Sequence, residues 1–314
     1  MKPISPEILF RHCYGRYAVP AVNVFTMEQV LGLFEAAQQS NTPVIVQITP
    51  AARNYATPEM LLGMVMSASN IYNKAVYALH LDHGNEAHAF AAINEGYTSV
   101  MIDASHDTFE ENVRRTVEVV KEAKKKRVAV EAELGVLSGV EDDLSVDESK
   151  ARYTDPLQAA EFVRMTDCTS LAVAVGTSHG AYKFSGGKGL QFDVLSEIQN
   201  ELPGFPLVLH GASNVSKGVI DEINHYGGNL LRDSRGVSDE EIRKAVQFGV
   251  CKVNIATDLR LLWTKVHRRF FSESPELFDP TIPGKAYIRE YVDFIIQRFE
   301  VLGCLGKAGS VKHD

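Results

Sequence analysis

The sequence predicts an α/β chain folded as a closed (β/α)8 TIM barrel with a C-terminal helical extension. Three observations carry this expectation. Eight short, β-branched apolar runs recur, a stretch of helical spacing follows most of them, and polar or charged residues sit at their C-terminal ends. An open doubly wound sheet fits less well, because no GxGxxG follows the first run.

The runs are Ala18–Val24, Pro43–Ile48, Val76–Asp82, Ser99–Asp103, Val128–Glu133, Ser170–Gly176, Pro206–His210 and Val250–Ile255. Their length and β-branched content are those of buried strands. Amphipathic segments lie between them: Met27–Gln39, Pro58–Asn73, Glu86–Glu95, Glu110–Lys126, Pro156–Thr166 and Phe192–Glu201. The basic run Lys121–Arg127 closes a helix, where cations oppose the negative end of the macrodipole. Asn224–Asp239 lengthens the seventh helical unit, with a turn at Tyr226–Asn229. After Phe270 an extension follows, helical from Lys285 to Leu302. No break in composition divides the chain, so one barrel domain over 1–314 is expected.

Forty acidic against 32 basic residues give a net charge of −8, which argues against nucleic acid as a partner. A local cluster of donors can still hold a small anion. Cys13, Cys168, Cys251 and Cys304 form no CxxC pair and read as reduced thiols. The first residues lack the apolar core of a signal peptide and no run approaches a membrane span, so a cytoplasmic location is expected.

Chemistry gathers at the strand ends, where this architecture builds its active sites. Asn23, Gln47, Asp82, His83, Asp103, Glu131, Glu133, His179, His210 and Asn254 all lie at or just beyond them. Burying such groups unpaired costs several kcal/mol each, about 2–7 by transfer measurements, so packing alone does not explain them. One histidine alone is more often a hydrogen-bonded core residue than a ligand. Three on separate strands, His83, His179 and His210, suit zinc with a fourth position open. Alternation along the third strand gives His80 the facing of Asp82, hence a supporting place. The acidic loop 135–149 is either a lid carrying a carboxylate or a solvated surface loop. Gly180–Lys183, Gly211–Ser213 and Thr257 offer backbone N–H groups and a cation to a phosphate. Lys252 starts the eighth strand, too far from the mouth for a Schiff-base lysine.

The stretches HLDHG (80–84), SVMIDAS (99–105), VEAELGVLSGVED (130–142), AVGTSHGAYK (174–183), LVLHGAS (207–213) and KVNIATDLR (252–260) resemble, in order, those of the class II ketose-bisphosphate aldolases. The resemblance implies zinc on His83, His179 and His210, with a monovalent cation as accessory ion. It implies Asp82 and Glu141 as the acid–base groups at C4 and C3, with Asp103 and Glu133 as outer positions for a shifted metal. Gly180, Lys183, Gly211, Ser213 and Thr257 would hold the C1 phosphate and Asn254 the enediolate, with Asn23 and Gln47 also at the substrate. The implied reaction is reversible cleavage of fructose 1,6-bisphosphate to dihydroxyacetone phosphate and glyceraldehyde 3-phosphate, by a homodimer or homotetramer. Tagatose 1,6-bisphosphate, another 1-phosphorylated ketose, or a non-catalytic partner subunit are the alternatives. The chain departs from the family at Ala256 (usually aspartate), at Asn214 and Ser216 (usually glycine and proline) and at Thr281 (often arginine). Arg260 and Arg289 are the candidates for a distal group.

Overall fold

A computed structural model of the chain describes residues 2–136, 138–141, 144–146, 152–179, 189–231 and 236–311. For 138–141, 144–146 and 179 it describes the backbone alone. Eight parallel strands close a barrel: β1 (Val19–Asn23), β2 (Val44–Ile48), β3 (Tyr77–Gly84), β4 (Ser99–Ile102), β5 (Ala129–Leu134), β8 (Ser170–Val173), β10 (Leu207–Leu209) and β11 (Val250–Ile255). They follow chain order around the ring, and β11 returns to β1 with Val19 opposite Lys252 and Val22 opposite Ile255. These are the eight expected runs: five are shorter by a residue or more, the last is unchanged, and β3 and β5 start one residue late and run two and one residues further, to Gly84 and Leu134. With helices outside and side chains inside, both faces of every strand are covered, which is why the runs read as apolar without clean alternation.

The acidic loop is more ordered at its base than a surface loop requires. Its backbone forms a hairpin, β6 (Ser138–Glu141) with β7 (Leu144–Val146), and β6 pairs in parallel with β9 (Ser178–His179). Reciprocal backbone bonds of 3.0 Å between Val136 and Arg152 close the base. Glu141 and His179 are thus carried on one small sheet beside the mouth.

The surrounding helices are α1 (Pro6–Cys13), α2 (Met27–Gln39), α3 (Pro50–Ala56), α4 (Pro58–Ile71), α5 (Glu86–Glu95), α6 (Phe109–Lys126), α7 (Pro156–Thr166), α8 (Phe192–Glu201), α9 (Lys217–His225), α10 (Asp239–Val246), α11 (Thr257–Glu273) and α12 (Thr281–Leu302). Asn85, Thr108, Asp155 and Ser238 each accept the N–H three residues on, satisfying an orphan donor at their helix starts. α1 lies under the N-terminal ends of the strands, where Ile4 N donates to Tyr77 O at 2.9 Å and Cys13 Sγ to Cys251 O at 3.6 Å.

The seventh unit holds two helices, with the expected turn at Tyr226–Asn229 following the first. α9 ends before Gly227, which takes φ +83°, and the Ser238–Glu241 capping box starts α10. α12 begins at Thr281, four residues before the expected start. Pro283 falls in its first turn, where a missing N–H costs nothing. Tyr287, Tyr291, Ile295, Phe299 and Leu302 line its buried face. Tyr291 fits against Gly32 of α2, where a Cβ would lie 2.6 Å from the ring. Among the described residues no helix is long and apolar enough to cross a membrane.

Candidate active site

The third strand sets the site. Strict alternation would send Asp82 inward and His83 outward. The β3–β4 register breaks between Leu81 and Gly84, and His83 takes φ +49°, a left-handed value rare for a non-glycine residue. That bulge turns two successive side chains toward the mouth. Gly84 permits it, since a Cβ there would lie 2.6 Å from Leu81 Cδ2.

His83 then meets His210, which follows β10. Nε2 of His83 and Nδ1 of His210 are 2.9 Å apart, and the rings stand at 88°. The other nitrogen of each ring faces a carboxylate: His83 Nδ1 lies 2.9 Å from Asp103 Oδ2, and His210 Nε2 lies 2.9 Å from Glu131 Oε1. These partners place the ring protons on the outer nitrogens, leaving two lone pairs face to face. Such a pair repels unless a cation lies between them. Asp82, His83 and His210 bring ligand atoms within 4.8 Å of one another, and so do His83, Asp103 and Glu133. The residues therefore fit a metal.

Burial lowers the pKa of His210; the Glu131 hydrogen bond opposes that shift, and His83 and Lys252 add to it. A neutral ring is the ligating form. Burial alone would raise Asp103, but the His83 ring N–H and the Ser105 donors outweigh it and hold the carboxyl well below the ordinary range.

Asp82 is fully buried and surrounded by amides. Asn23 Nδ2 donates to Oδ2 at 2.9 Å, Gln47 Nε2 to the same oxygen at 3.3 Å, and Asn254 Nδ2 to Oδ1 at 3.2 Å. Gln47 Nε2 also donates to Asn23 Oδ1 at 2.8 Å, so β1, β2, β3 and β11 share one polar ring. Gln47 Oε1 and Asn254 Oδ1 are buried and have no partner among the described residues.

Below this ring lies a feature that the sequence reading passed over. Lys252 is buried with its Nζ 2.9–3.0 Å from both oxygens of Glu131 and 3.5 Å from His80 Nε2. His80 Nδ1 meets Ser99 Oγ at 2.8 Å. Two residues before Asn254, Lys252 must face inward by alternation, and Glu131 does so on the opposite wall; that pairing of signs was legible. Lys252 is the counter-ion that keeps Glu131 charged beneath His210, and it lies below the mouth. Burial tends to raise Glu131, and the charge of Lys252 with the His210 hydrogen bond overcomes it, so the carboxyl is held far below its usual range.

His80 gives a pH prediction. Burial first, then Lys252, push its pKa down to about 3, against the pull of Glu131 and Asp82. The unfolded ring titrates at about 6.5, so on acidification the unfolded chain takes up the proton first. Stability of the metal-free protein is then full above pH ~6.5 and falls toward pH 3, by up to ~1.4 kcal/mol per unit for this group. Urea midpoints across that range should show the slope, and His80→Asn should flatten it; an unchanged slope would reassign it.

The turn after β10 carries Gly211 and Ser213. Gly211 has φ +61°, and a Cβ there would lie 2.5 Å from Ser178 O, so only glycine fits. Thr257 opens α11 beside this turn. Gly180 and Lys183 lie outside the described residues, as do the side chains of His179 and Glu141. Arg260, exposed in the first turns of α11, sits over the Phe25 ring at 4.9 Å. Arg289 is exposed on α12.

A closed (β/α)8 barrel with imidazoles, carboxylates and amides converging at its C-terminal mouth defines an enzyme of the metal-assisted lyase or hydrolase kind. The sequence model of the family described as fructose-bisphosphate aldolase class-II matches residues 6–307, and the chain belongs to that family of aldehyde-lyases. The fructose-bisphosphate aldolase of Giardia intestinalis is 42% identical over 303 residues, 95% of this chain and 91% of that protein. The fructose-bisphosphate aldolase of Thermus caldophilus is 38% identical, covering 96% and 98%. The crystal structure of the YdjI aldolase of Escherichia coli K12 superposes with a TM-score of 0.76 at 29% identity, covering 98% of this chain and 100% of that one.

Proposed function

We propose that the chain cleaves fructose 1,6-bisphosphate reversibly between C3 and C4, giving dihydroxyacetone phosphate and glyceraldehyde 3-phosphate, with zinc on His83, His179 and His210. The observation that carries this reading is the Asp82 carboxylate, held by three amides beside the facing His83–His210 pair. The chemistry supplied by zinc, when bound, is polarisation of the C2 ketone and stabilisation of the charge left as the C3–C4 bond breaks. Asp82 takes the proton of the C4 hydroxyl during cleavage and returns it during condensation. Asn23 and Gln47 hold that carboxylate in place. Gln47 Oε1 and Asn254 Oδ1, buried acceptors, suit substrate hydroxyls. Glu141, on the hairpin beside His179, exchanges the C3 proton. Gly180, Lys183, Gly211, Ser213 and Thr257 hold the C1 phosphate, and Arg260 and Arg289 are the candidates for a distal one.

Ala256 favours a second substrate reading. A buried methyl stands where fructose-bisphosphate aldolases usually carry aspartate, as in the tagatose-bisphosphate branch. Cleavage of fructose 1,6-bisphosphate, tagatose 1,6-bisphosphate and a singly phosphorylated ketose should be compared, with and without chelator and potassium. The expected result is chelator-sensitive cleavage with the fructose compound leading in kcat/KM. Equal rates on the singly phosphorylated ketose, unchanged by Arg260→Ala, would remove the distal phosphate from the reading. Full activity in chelator would remove zinc.

The location we infer is cytoplasmic and the assembly a homodimer or homotetramer. Trp263, Phe271, Phe278 and Ile282 are exposed around the α11–α12 junction, in keeping with a surface that a second copy covers.

A further inference from the structure

Val215 is a β-branched residue in the left-handed region, with φ +52°. L-residues avoid that conformation because Cβ meets the backbone carbonyl, and β-branched ones avoid it most. It sits in the turn that follows Ser213, where the chain has Asn214 and Ser216 instead of the family's usual glycine and proline. Two other interactions hold the turn. The Val215 side chain is buried with Ile220, Ile223 and Leu261. The Asp258 carboxylate accepts both of the turn's successive N–H groups, Asn214 N to Oδ2 at 2.9 Å and Val215 N to Oδ1 at 2.8 Å. Asp258 is itself 6% exposed and stands at the second position of α11. A carboxylate there would ordinarily face its own helix's free N–H groups. Here both oxygens reach across to the neighbouring turn.

The turn's outer side is held as well. Gly236 N donates to Asn214 O at 3.1 Å, Val237 N to Ser213 O at 3.3 Å, and Asn214 Nδ2 to Asp239 Oδ1 at 3.2 Å. Arg298 of α12 donates to that same Asp239 oxygen at 2.7 Å. Hydrogen bonds thus replace the stiffness that a proline ring would supply.

We propose that Asp258 is a positioning residue of the C1-phosphate site, clamping the 211–216 turn to the start of α11 so that Gly211, Ser213 and Thr257 face one ligand. This rests on the reading that those residues hold the C1 phosphate. Asparagine at 258 offers one acceptor and one NH2 group, so one of the two N–H groups loses its partner and meets a donor instead.

The test uses the zinc-loaded, full-length enzyme, measuring kcat, KM for fructose 1,6-bisphosphate, competitive inhibition by inorganic phosphate, and Tm. Asp258→Asn is expected to raise KM and the phosphate inhibition constant about tenfold each, with kcat within threefold of the parent. Asp258→Glu, which keeps the charge but displaces it, should give a smaller rise at near-parental Tm, and serves if the asparagine variant does not fold. Ser213→Ala separates the two layers of the claim. If Ser213→Ala leaves both constants unchanged, the phosphate reading itself fails. If Ser213→Ala raises them while both Asp258 variants leave them unchanged, or lower kcat and Tm alone, the positioning role of Asp258 is overturned.

Discussion

Asp82→Asn is expected to lower the rate of carbon–carbon cleavage by about 10²–10⁴-fold, the usual contribution of a positioned general acid–base group. The replacement is nearly isosteric, and the surrounding amides can absorb it. Its carbonyl oxygen can keep the donors from Asn23 and Gln47, while its NH2 takes the place of Oδ1 opposite Asn254. Asn254 Oδ1, without a partner among the described residues, can rotate to accept that NH2. Structure should therefore survive while proton transfer does not. The discriminating readout is solvent exchange of the C3 proton of dihydroxyacetone phosphate, assigned to Glu141, which should continue in the Asp82 variant. Glu141→Gln should show the opposite pattern. Loss of exchange and cleavage together in Asp82→Asn, with zinc still bound, would mean that one group serves both steps.

Lys252→Met should cost about 3–5 kcal/mol of stability, the range for removing one partner of a buried ion pair. Glu131 would keep its hydrogen bond to His210 but lose both contacts to the only cation beneath it among the described residues. Adding Glu131→Gln should recover much of the loss, because a neutral amide can still accept from His210 Nε2 and no unpaired charge is left at position 131. Denaturant midpoints of the two single variants and the double variant give the coupling directly. A loss below ~1 kcal/mol in Lys252→Met would show that Glu131 finds its compensation elsewhere. The double variant should nevertheless bind zinc more weakly than the parent, since an amide orients and polarises the imidazole less than a carboxylate does.

Much of this architecture was legible because barrel strands covered on both faces must be apolar runs, and all eight stood out. The inward residues were legible too, by alternation back from the mouth: Asn254 implies Lys252, and Glu133 implies Glu131. What alternation cannot supply is the bulge at His83. Read with a strict period of two, the third strand aims Asp82 and His83 at opposite faces. Only the left-handed residue and the broken register reconcile them, and both depend on how β4 packs alongside. The role of Asp258 was hidden for a similar reason. An aspartate in a helix's first turn reads as a macrodipole partner, whereas its oxygens serve a turn more than forty residues earlier in the chain. α12 starts four residues ahead of Lys285, and Pro283 is compatible with that start because it falls in the first turn.

The ring closes only where its last strand meets its first. β1 has one neighbour, β2, available early, and its other edge waits for β11, about 230 residues further along. At ~5–20 residues per second of synthesis, that edge stays open for roughly 10–50 s. Lys252 follows His80 by 172 residues and Glu131 by 121, so the polar layer inside the ring stays wet until the final strand arrives. A nascent chain stalled before residue 250 is therefore expected to expose a ready template for strand pairing, and to be the form that chaperones bind.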